Sequence, residues 1–264
     1  MRPPLDLTRL GEALVAQGPY ERVDVVDQID STNAELLRQA AAADTGPERP
    51  VALLAEHQTQ GRGRHHPGEP RPRPWLAPPR TSVIASVLVR TPSIAALNRS
   101  LLGLAFGLAV VEALDLAVGG RPGLKWPNDV VLDGRKLAGL LASVTPRGDV
   151  VIGIGLNVHQ SEDELPDRRA GSLATLGLPQ ADRTGMAIAV LSSAATWYDR
   201  WARGDRRLLD RIASRMVTLG QTVRIEQPGG RVVAGQAGGL AADGGLRLRQ
   251  ADGSEQAVNA GEVL

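Results

Sequence analysis

Alternating glycine and arginine residues at 61–64 form the segment of this sequence best suited to bind an anion. They end the run EHQTQGRGR at 56–64, which follows the apolar residues 51–55. Glycine tolerates positive φ and lets backbone N–H groups approach a ligand, while planar guanidinium groups match carboxylate and phosphate. The spacing is neither that of a P-loop nor that of a dinucleotide-binding loop. We interpret 61–64 as an anion clamp, with a solvated turn or an RNA-contacting loop as alternatives.

Lysine occurs at two positions, Lys125 and Lys136, and every other basic side chain is arginine. A compositional bias of the source genome explains the excess of arginine. A compact ammonium and a guanidinium fork are nevertheless not interchangeable at a crowded site. The two lysines therefore indicate positions that require a point charge.

The cations and amides of the chain favour phosphoryl or nucleotidyl transfer. Such a reaction depends on stabilised charge and in-line positioning more than on a side-chain nucleophile. The candidates are the cations Arg62, Arg64, Lys125 and Lys136 and the amides Gln58, Asn128 and Asn157. The chain has no cysteine, which excludes thiolate catalysis, disulfides and Fe–S clusters. It also has no GxSxG motif, and its four histidines lack metal-ligand spacing, so the metal ligands stay unknown.

Composition indicates a globular protein with one large and one small domain. The chain has 264 residues, of which 42% are hydrophobic and 22% charged. A net charge of +1 argues against nucleic-acid binding through a global positive field. The N-terminus lacks the apolar core of a signal peptide, and no stretch approaches the ~20 apolar residues of a membrane span. We therefore expect a cytoplasmic protein that does not contact a membrane.

The elements that must position these residues are read from periodicity and turn residues. Helices are predicted at 6–17, 32–43, 94–118, 183–201 and 206–216. Strands are predicted at 23–29, 51–57, 82–90, 130–132, 136–144, 150–158, 222–226, 232–236, 246–249 and 255–258. Prolines exclude regular structure from 65–80, which is predicted to be a long surface loop. The short strands after 218 suggest a small barrel, with a domain boundary at that point.

Two features of these elements bear on a ligand. Thr32 and Glu35 fit a capping box, which leaves the polar residues Ser31, Thr32 and Asn33 at a helix N-terminus, where N–H groups favour a ligand. Glycines at 139, 153 and 155 weaken the strands that contain them. They indicate either a ligand close to the backbone, or a bulge or tight strand crossing.

Five motifs together resemble biotin protein ligases, in that family's order and spacing. They are DSTN at 30–33, EHQTQGRGR at 56–64, KWPND at 125–129, KLAGLL at 136–141 and GIGLNV at 153–158. The resemblance covers about residues 20–220 well and the C-terminal part loosely. It implies an α+β fold, in which a mixed β-sheet flanked by helices, like that of class II aminoacyl-tRNA synthetases, precedes a small SH3-like β-barrel. The implied domains are 1–218, which binds biotin and ATP, and 219–264.

The resemblance also implies an activity and its partners. ATP and biotin, with Mg²⁺, would give biotinyl-5′-AMP. The biotin would then be transferred to a lysine of a biotin carboxyl carrier domain, from an acyl-CoA or pyruvate carboxylase. The chain begins almost directly with the catalytic domain, so we expect no winged-helix domain and no binding to DNA.

The family's roles are assigned here only to positions that match its motifs. Catalytic roles fall on Arg62, Arg64 and Lys136. The biotin ring system would contact Ser31, Thr32, Asn33 and Gln58, and the carboxylate and α-phosphate would contact Gly61, Arg62, Gly63, Arg64 and Lys136. The nucleotide side would contact Lys125, Trp126, Asn128 and Asn157, and the glycine-lined strand would contribute Gly153 and Gly155.

The chain departs from the family after the clamp, because residues 65–74 are longer and richer in proline than the usual short basic run before Trp75. Two alternatives also remain open. One is a lipoate ligase of related fold. The other is a non-catalytic RNA-binding or anion-binding module, although near-neutral charge and few aromatic residues argue against it.

Overall fold

A seven-stranded mixed sheet forms the centre of the fold in the computed structural model, which describes residues 2–64, 72–91 and 99–264. Its strands are β1 (Arg22–Ile29), β2 (Val51–Gln58), β3 (Ser82–Val89), β4 (Gly123–Lys125), β5 (Asp129–Leu132), β6 (Arg135–Val144) and β7 (Val150–Asn157). They lie in the order β1-β2-β3-β7-β6-β5-β4. β1 and β2 are parallel, and all other neighbours are antiparallel.

Helices cover both faces of this sheet. They are α1 (Leu7–Gly11), which continues as a π-helical turn at Glu12–Ala16, α2 (Thr32–Ala42), α3 (Arg99–Asp115), α4 (Arg183–Ala202) and α5 (Leu208–Ser214). α3 is almost wholly buried and packs with α4 against one face, where α3 contacts β4–β7 and α4 contacts β3. Alternate β3 residues such as Val83 and Val87 belong to the apolar core on this face. α2 covers the other face, where Leu36 packs near Leu88. Because strand side chains alternate between faces, the intervening β3 residues lie on the α2 side.

A five-stranded antiparallel sheet follows. Its strands are β8 (Thr222–Glu226), β9 (Val232–Leu240), β10 (Leu246–Arg249), β11 (Glu255–Val258) and β12 (Glu262–Val263), in the order β11-β10-β9-β8-β12. The fold class predicted from sequence is confirmed: a mixed sheet flanked by helices precedes a small antiparallel β unit. Hydrogen bonding within 219–264 does not join β11 to β12, so closure into a barrel stays a prediction.

Trp126 joins the two sheets. Its indole is 2% exposed, and its Nε1–H donates to the Gly244 carbonyl oxygen at 3.1 Å. Next to it, the Leu124 N–H donates to Arg215 O at 2.8 Å, and the Val217 N–H donates to Leu124 O at 2.8 Å. The chain that leads into the second sheet therefore extends the edge of the first, and one apolar core includes residues of both.

The capping box predicted at Thr32 and Glu35 is wrong. Ser31 is the N-cap, and its Oγ accepts a hydrogen bond from the Ala34 N–H at 3.4 Å. Thr32 is the first helical residue, and its hydroxyl hydrogen-bonds Gln58 and Ser86 instead. A cap one residue earlier therefore leaves the Thr32 hydroxyl free to face the interior of the protein.

Most other predicted elements are found with shifted ends. The long helix begins at Arg99 among the described residues, and its predicted start at 94–98 lies outside them, as do residues 65–71 of the proline-rich loop. The described part of that loop, 72–80, contains no helix or extended strand. β4 and β12 were missed because three and two residues are too few to show alternation. None of the helices in the described ranges is long and apolar enough to cross a membrane.

Candidate active site

Three neighbouring strands form the floor of a cavity beside the N-terminus of α2. Strand register places Ser86, Gly153 and Leu141 in one row across β3, β7 and β6, and Ile84, Gly155 and Gly139 in the next. The cavity volume is about 50 Å³. Its walls include Ser31, Thr32, Asn33, Gln58, Arg62, Gly63, Trp75 and Lys136. Residues from four of the five sequence motifs therefore converge on one cavity.

One end of the cavity carries uncharged hydrogen-bonding groups. Gln58 Oε1 accepts from the Thr32 N–H at 2.8 Å and from the Thr32 hydroxyl at 3.1 Å. The Thr32 hydroxyl lies 2.8 Å from that of Ser86, which donates to Asn33 Oδ1 at 2.9 Å. The Asn33 Nδ2–H donates to Leu141 O at 3.1 Å. Because these polar groups hold one another, they form a rigid surface that a ligand can meet with little rearrangement.

The other end carries positive charge. Arg62 and Lys136 line the same cavity, and Lys136 Nζ lies 2.7 Å from Asp129 Oδ1. Arg64 stands beside them, and its Nη1–H donates to Asn128 Oδ1 at 3.3 Å. Asn128 and Asp129 are consecutive, so one short segment anchors both Arg64 and Lys136. The structure thus brings the cations from the two distant motifs together.

Burial lowers the pKa of Arg64, while the negative charges of Asp129 and Glu262 act in the opposite direction. Arginine nevertheless stays protonated in proteins. A partly buried guanidinium that keeps its charge favours an anionic ligand, because it has lost part of its water shell.

Gly61 and Gly63 do not adopt the positive φ that glycine tolerates. A Cβ on Gly61 would lie 2.5 Å from Trp75 O, and one on Gly63 would lie 3.3 Å from Arg73 O. Backbone hydrogen bonds join the same segments, from Gly63 N–H to Arg73 O at 2.7 Å and from Trp75 N–H to Gly61 O at 2.9 Å. The glycines are needed because 61–64 pairs closely with 73–75.

The strand glycines make room for side chains of the protein itself. A Cβ on Gly153 would lie 2.9 Å from Asn33 Oδ1, and one on Gly139 would lie 3.2 Å from Trp75 Cζ3. A Cβ on Gly155 would clash with the Trp75 ring. The buried Trp75 Nε1 has no hydrogen-bond partner among the described residues. The indole therefore occupies space that the glycines leave over the floor.

Six predicted site residues do not line the cavity. Gly61, Arg64 and Asn128 take part in the contacts described above, and the other three lie elsewhere. Trp126 is buried against the second sheet, as described above. Asn157 is 4% exposed, and its Nδ2–H donates to Gly171 O at 2.9 Å while its Oδ1 accepts from Gln160 at 2.9 Å. Lys125 is exposed at the end of β4, where it lies opposite Asp129 in the antiparallel register of β4 and β5.

Asn157 is connected to Lys136 through the backbone of a neighbouring segment. The Lys136 N–H donates to Arg169 O at 2.6 Å, and the Gly171 N–H donates to Lys136 O at 2.8 Å. Since Asn157 holds Gly171, it fixes the segment that brackets Lys136.

Sequence reasoning missed three residues at this site. Ser86 interrupts an apolar strand on the α2 side, and that interruption was the available signal. Asp129 is the last residue of KWPND but was not assigned a role, although it binds Lys136. Trp75 was noted only as the end of an unusual loop, because nothing local to its sequence shows that its ring reaches β7.

The residues present fit a magnesium ion that is held mainly by phosphate oxygens. Within the described ranges, no three acidic or histidine side chains cluster as a metal site. Asp129 places one carboxylate beside the cations. Mg²⁺ commonly binds one or two carboxylates together with substrate phosphates and waters. The site therefore suits an ion that enters with a nucleotide.

Comparisons with known proteins agree with this geometry. The model of the "Biotin/lipoate A/B protein ligase family" matches residues 25–158, and that of the "Biotin protein ligase C terminal domain" matches 218–264. The Mycobacterium tuberculosis protein named "Biotin--[acetyl-CoA-carboxylase] ligase" is 40% identical over 269 residues, which cover 100% of this chain and 97% of that protein. The Escherichia coli "Bifunctional ligase/repressor BirA" is 30% identical over 260 residues, which cover 91% of this chain and 73% of that protein.

A solved structure is also similar. The biotin protein ligase from Aquifex aeolicus in complex with biotin and ATP superposes with a TM-score of 0.76 at 27% identity, and covers 92% of this chain and 98% of its own. The similarity therefore extends over both sheets.

Proposed function

This chain belongs to the biotin/lipoate A/B protein ligase family, and from that membership we propose that it is a biotin protein ligase. It activates biotin with ATP to biotinyl-5′-AMP and transfers biotin to a lysine of a biotin carboxyl carrier domain. The observation that carries this proposal is a single cavity with an uncharged hydrogen-bonding end and a cationic end. A cyclic urea fits the first end, and a carboxylate that meets a phosphate fits the second.

The uncharged end favours biotin over lipoate. A urea presents N–H donors and a carbonyl acceptor, which can pair with the hydroxyls and amides of Thr32, Ser86, Asn33 and Gln58. The dithiolane of lipoate offers only weak acceptors, so it would gain few hydrogen bonds from these groups. A hydrogen bond contributes about 0.5–1.5 kcal/mol net, and the urea of biotin would form several.

The cationic end matches the first chemical step. A carboxylate oxygen of biotin attacks the α-phosphorus of ATP, and pyrophosphate leaves with the bonding electron pair. Two such anions at 4 Å repel by about 4 kcal/mol at an effective dielectric constant of ~20. Arg62, Arg64 and Lys136 offset this repulsion and orient the oxygens. Bound Mg²⁺ would supply further neutralisation of phosphate charge.

The second step uses the same groups. The neutral ε-amine of the acceptor lysine attacks the carbonyl carbon of the mixed anhydride. The bond to the phosphate oxygen breaks, AMP leaves, and the amine proton passes to solvent. Arg64 retains the adenylate until the acceptor arrives, because it is held beside Asn128 in a partly desolvated position.

Entry of biotin requires Trp75 to move. The free cavity of about 50 Å³ is far smaller than the roughly 300–1,000 Å³ of ligand pockets. The indole lies over Gly155 and Gly139, in the direction that leads from the uncharged end to Lys136. Trp75 would return over the bound ligand and exclude water from the fragile anhydride.

The remaining predicted residues receive supporting roles in this proposal. Ser31 caps α2, and the narrow backbones of Gly61, Gly63 and Gly153 let the walls approach. Asn128 positions Arg64, and Asn157 positions the Lys136 strand. Lys125, at the end of the edge strand β4, would contact the nucleotide, whereas Trp126 holds the second sheet in place. The proposed boundary between the two domains is 218/219.

The acceptor is proposed from chemistry and from the name of the M. tuberculosis relative, a biotin–[acetyl-CoA-carboxylase] ligase. We expect the carrier domain of an acyl-CoA carboxylase to be a substrate, and that of a pyruvate carboxylase to be another. Absence of DNA binding stays a prediction, and an electrophoretic shift on promoter DNA at physiological salt would contradict it.

The test is transfer of label to an isolated acceptor domain. With ATP and biotin, mass spectrometry should find one biotinylated acceptor lysine, and replacing biotin by lipoate should abolish the product. Lys136→Arg keeps the charge but exchanges the compact ammonium that Asp129 and Gly139 surround, so adenylation should slow at least tenfold. Labelling with lipoate but not with biotin would assign the chain to lipoate ligation instead.

A further inference from the structure

The last strand of the chain reaches the clamp. Gly261 O accepts a hydrogen bond from Arg64 Nη1 at 3.3 Å, and the Glu262 carboxylate lies 2.9 Å from Arg73 Nη1. Arg64 precedes the proline-rich loop and Arg73 lies within it, and their backbones pair through Arg73 N–H to Arg64 O at 3.3 Å. Two consecutive residues at the start of β12 therefore contact Arg64 and the arm formed by residues 73–75.

Gly261 is held firmly in this position. Its φ of +152° lies in a region that side chains rarely adopt. A Cβ there would lie 2.5 Å from Ile225 Cγ2 and 2.7 Å from Glu226 O. Glu262 then pairs with Glu226 in the antiparallel register of β12 and β8. Because the backbone of 261–262 rests directly on β8, the carbonyl that meets Arg64 is fixed by the second sheet.

The charge of Glu262 also acts on both arginines. It forms the ion pair with Arg73, and it favours the charged form of the partly buried Arg64. Asp129 acts on Arg64 in the same sense from the other side. Arg64 is thus surrounded by acceptors from both sheets, Asn128 from the first and Gly261 from the second.

We propose that Gly261 and Glu262 are positioning residues of the active site, and that they hold Arg64 and the 73–75 arm over the cavity. This inference rests on the proposed function, because biotinyl-5′-AMP is the ligand that the arm retains. The second sheet then controls how long the adenylate stays bound. The arm that Glu262 holds includes Trp75, whose ring covers Gly155. Loosening this contact exposes the adenylate without touching any group that reacts.

The experiment uses the full chain and the variants Glu262→Gln and Arg73→Gln. A partly exposed ion pair contributes about 0.2–1 kcal/mol, which corresponds to a change of about 1.5- to 5-fold. We expect each variant to release adenylate faster by that factor and to raise KM for biotin, with kcat for pyrophosphate release unchanged. The double variant should change adenylate release by less than the product of the two single effects, because the two variants remove one shared contact.

The matched control is Glu255→Gln. Glu255 lies in the same sheet and faces Arg249 at 3.4 Å, away from the loop. If any loss of charge in this sheet had the same effect, Glu255→Gln and Glu262→Gln would speed adenylate release equally, and that result would overturn the proposal. Additive effects of Glu262→Gln and Arg73→Gln would do so as well. If the wild-type chain forms no adenylate from biotin and ATP, the proposed function fails before this inference is reached.

Discussion

Replacing Arg183 should destabilise the fold far more than replacing any exposed arginine. Arg183 and Glu56 are 3% and 4% exposed, and Arg183 Nη2 lies 2.6 Å from Glu56 Oε2. The other carboxylate oxygen of Glu56 accepts from the Leu5 N–H at 2.6 Å. Arg183→Met keeps the apolar volume but leaves the carboxylate buried beside one N–H donor. Removing one partner of a buried ion pair costs about 3–5 kcal/mol.

The assay is equilibrium unfolding in urea, with Arg203→Met as the control. Arg203 forms an i,i+4 pair with Asp199 on the surface of α4, at 3.0 Å with both side chains exposed. That change should cost no more than ~0.5 kcal/mol. The double variant Glu56→Gln/Arg183→Met should recover part of the loss, since no uncompensated charge remains buried. A loss below about 1 kcal/mol for Arg183→Met would refute the reasoning.

Arg64→Ala should leave the unfolding midpoint nearly unchanged but should raise ATP consumption relative to the biotin transferred. The assay compares pyrophosphate released with acceptor labelled. An unchanged ratio of the two would contradict retention of the adenylate by this side chain. Gly155→Ala should lower the free energy of unfolding by about 1–3 kcal/mol through overpacking against Trp75. Adding Trp75→Ala should recover most of that loss in urea unfolding. Additive losses would show that the strain lies elsewhere. Hydrogen bonds from Arg2 lower the pKa of Glu164 to about 2. That carboxylate stabilises the fold above its unfolded pKa of roughly 4.3, and the contribution is lost as pH falls toward 2. Melting temperatures should therefore fall less steeply from pH 5 to 2 for Glu164→Gln than for the wild type, and equal slopes would count against the ion pair.

Local patterns were sufficient to predict the strands that build the cavity. β2 and β3 are mainly apolar runs, and β6 and β7 alternate or carry glycine at positions that strand register later aligns. The Gly-Arg and lysine motifs predicted the cationic end because few residue types bind anions well. Their mutual distance could not be predicted from spacing alone, because it depends on the order of strands in the sheet.

Contacts between distant segments account for what sequence reasoning missed. Nothing near Glu56 shows that its partner is Arg183, 127 positions later by the difference of their numbers. Trp126 resembles a ligand-contacting residue within KWPND, yet its indole binds Gly244. The glycines at 61 and 63 are typical of a flexible loop, but here they allow the backbone of 61–64 to pair closely with that of 73–75. In each case the physical reason lies in a neighbour that only the folded chain supplies.

The adjacency of Asn128 and Asp129 limits how the charge of this site can change. The Asn128 Nδ2–H donates to Leu140 O at 2.8 Å, and the Leu140 N–H returns a hydrogen bond to Asn128 O at 2.9 Å. A shift of this one peptide unit would therefore move the anchors of Arg64 and Lys136 together. A substitution that moves one of these cations by displacing the backbone will also move the other. The position of one cation can therefore change independently only through substitutions that alter side chains and leave this backbone in place.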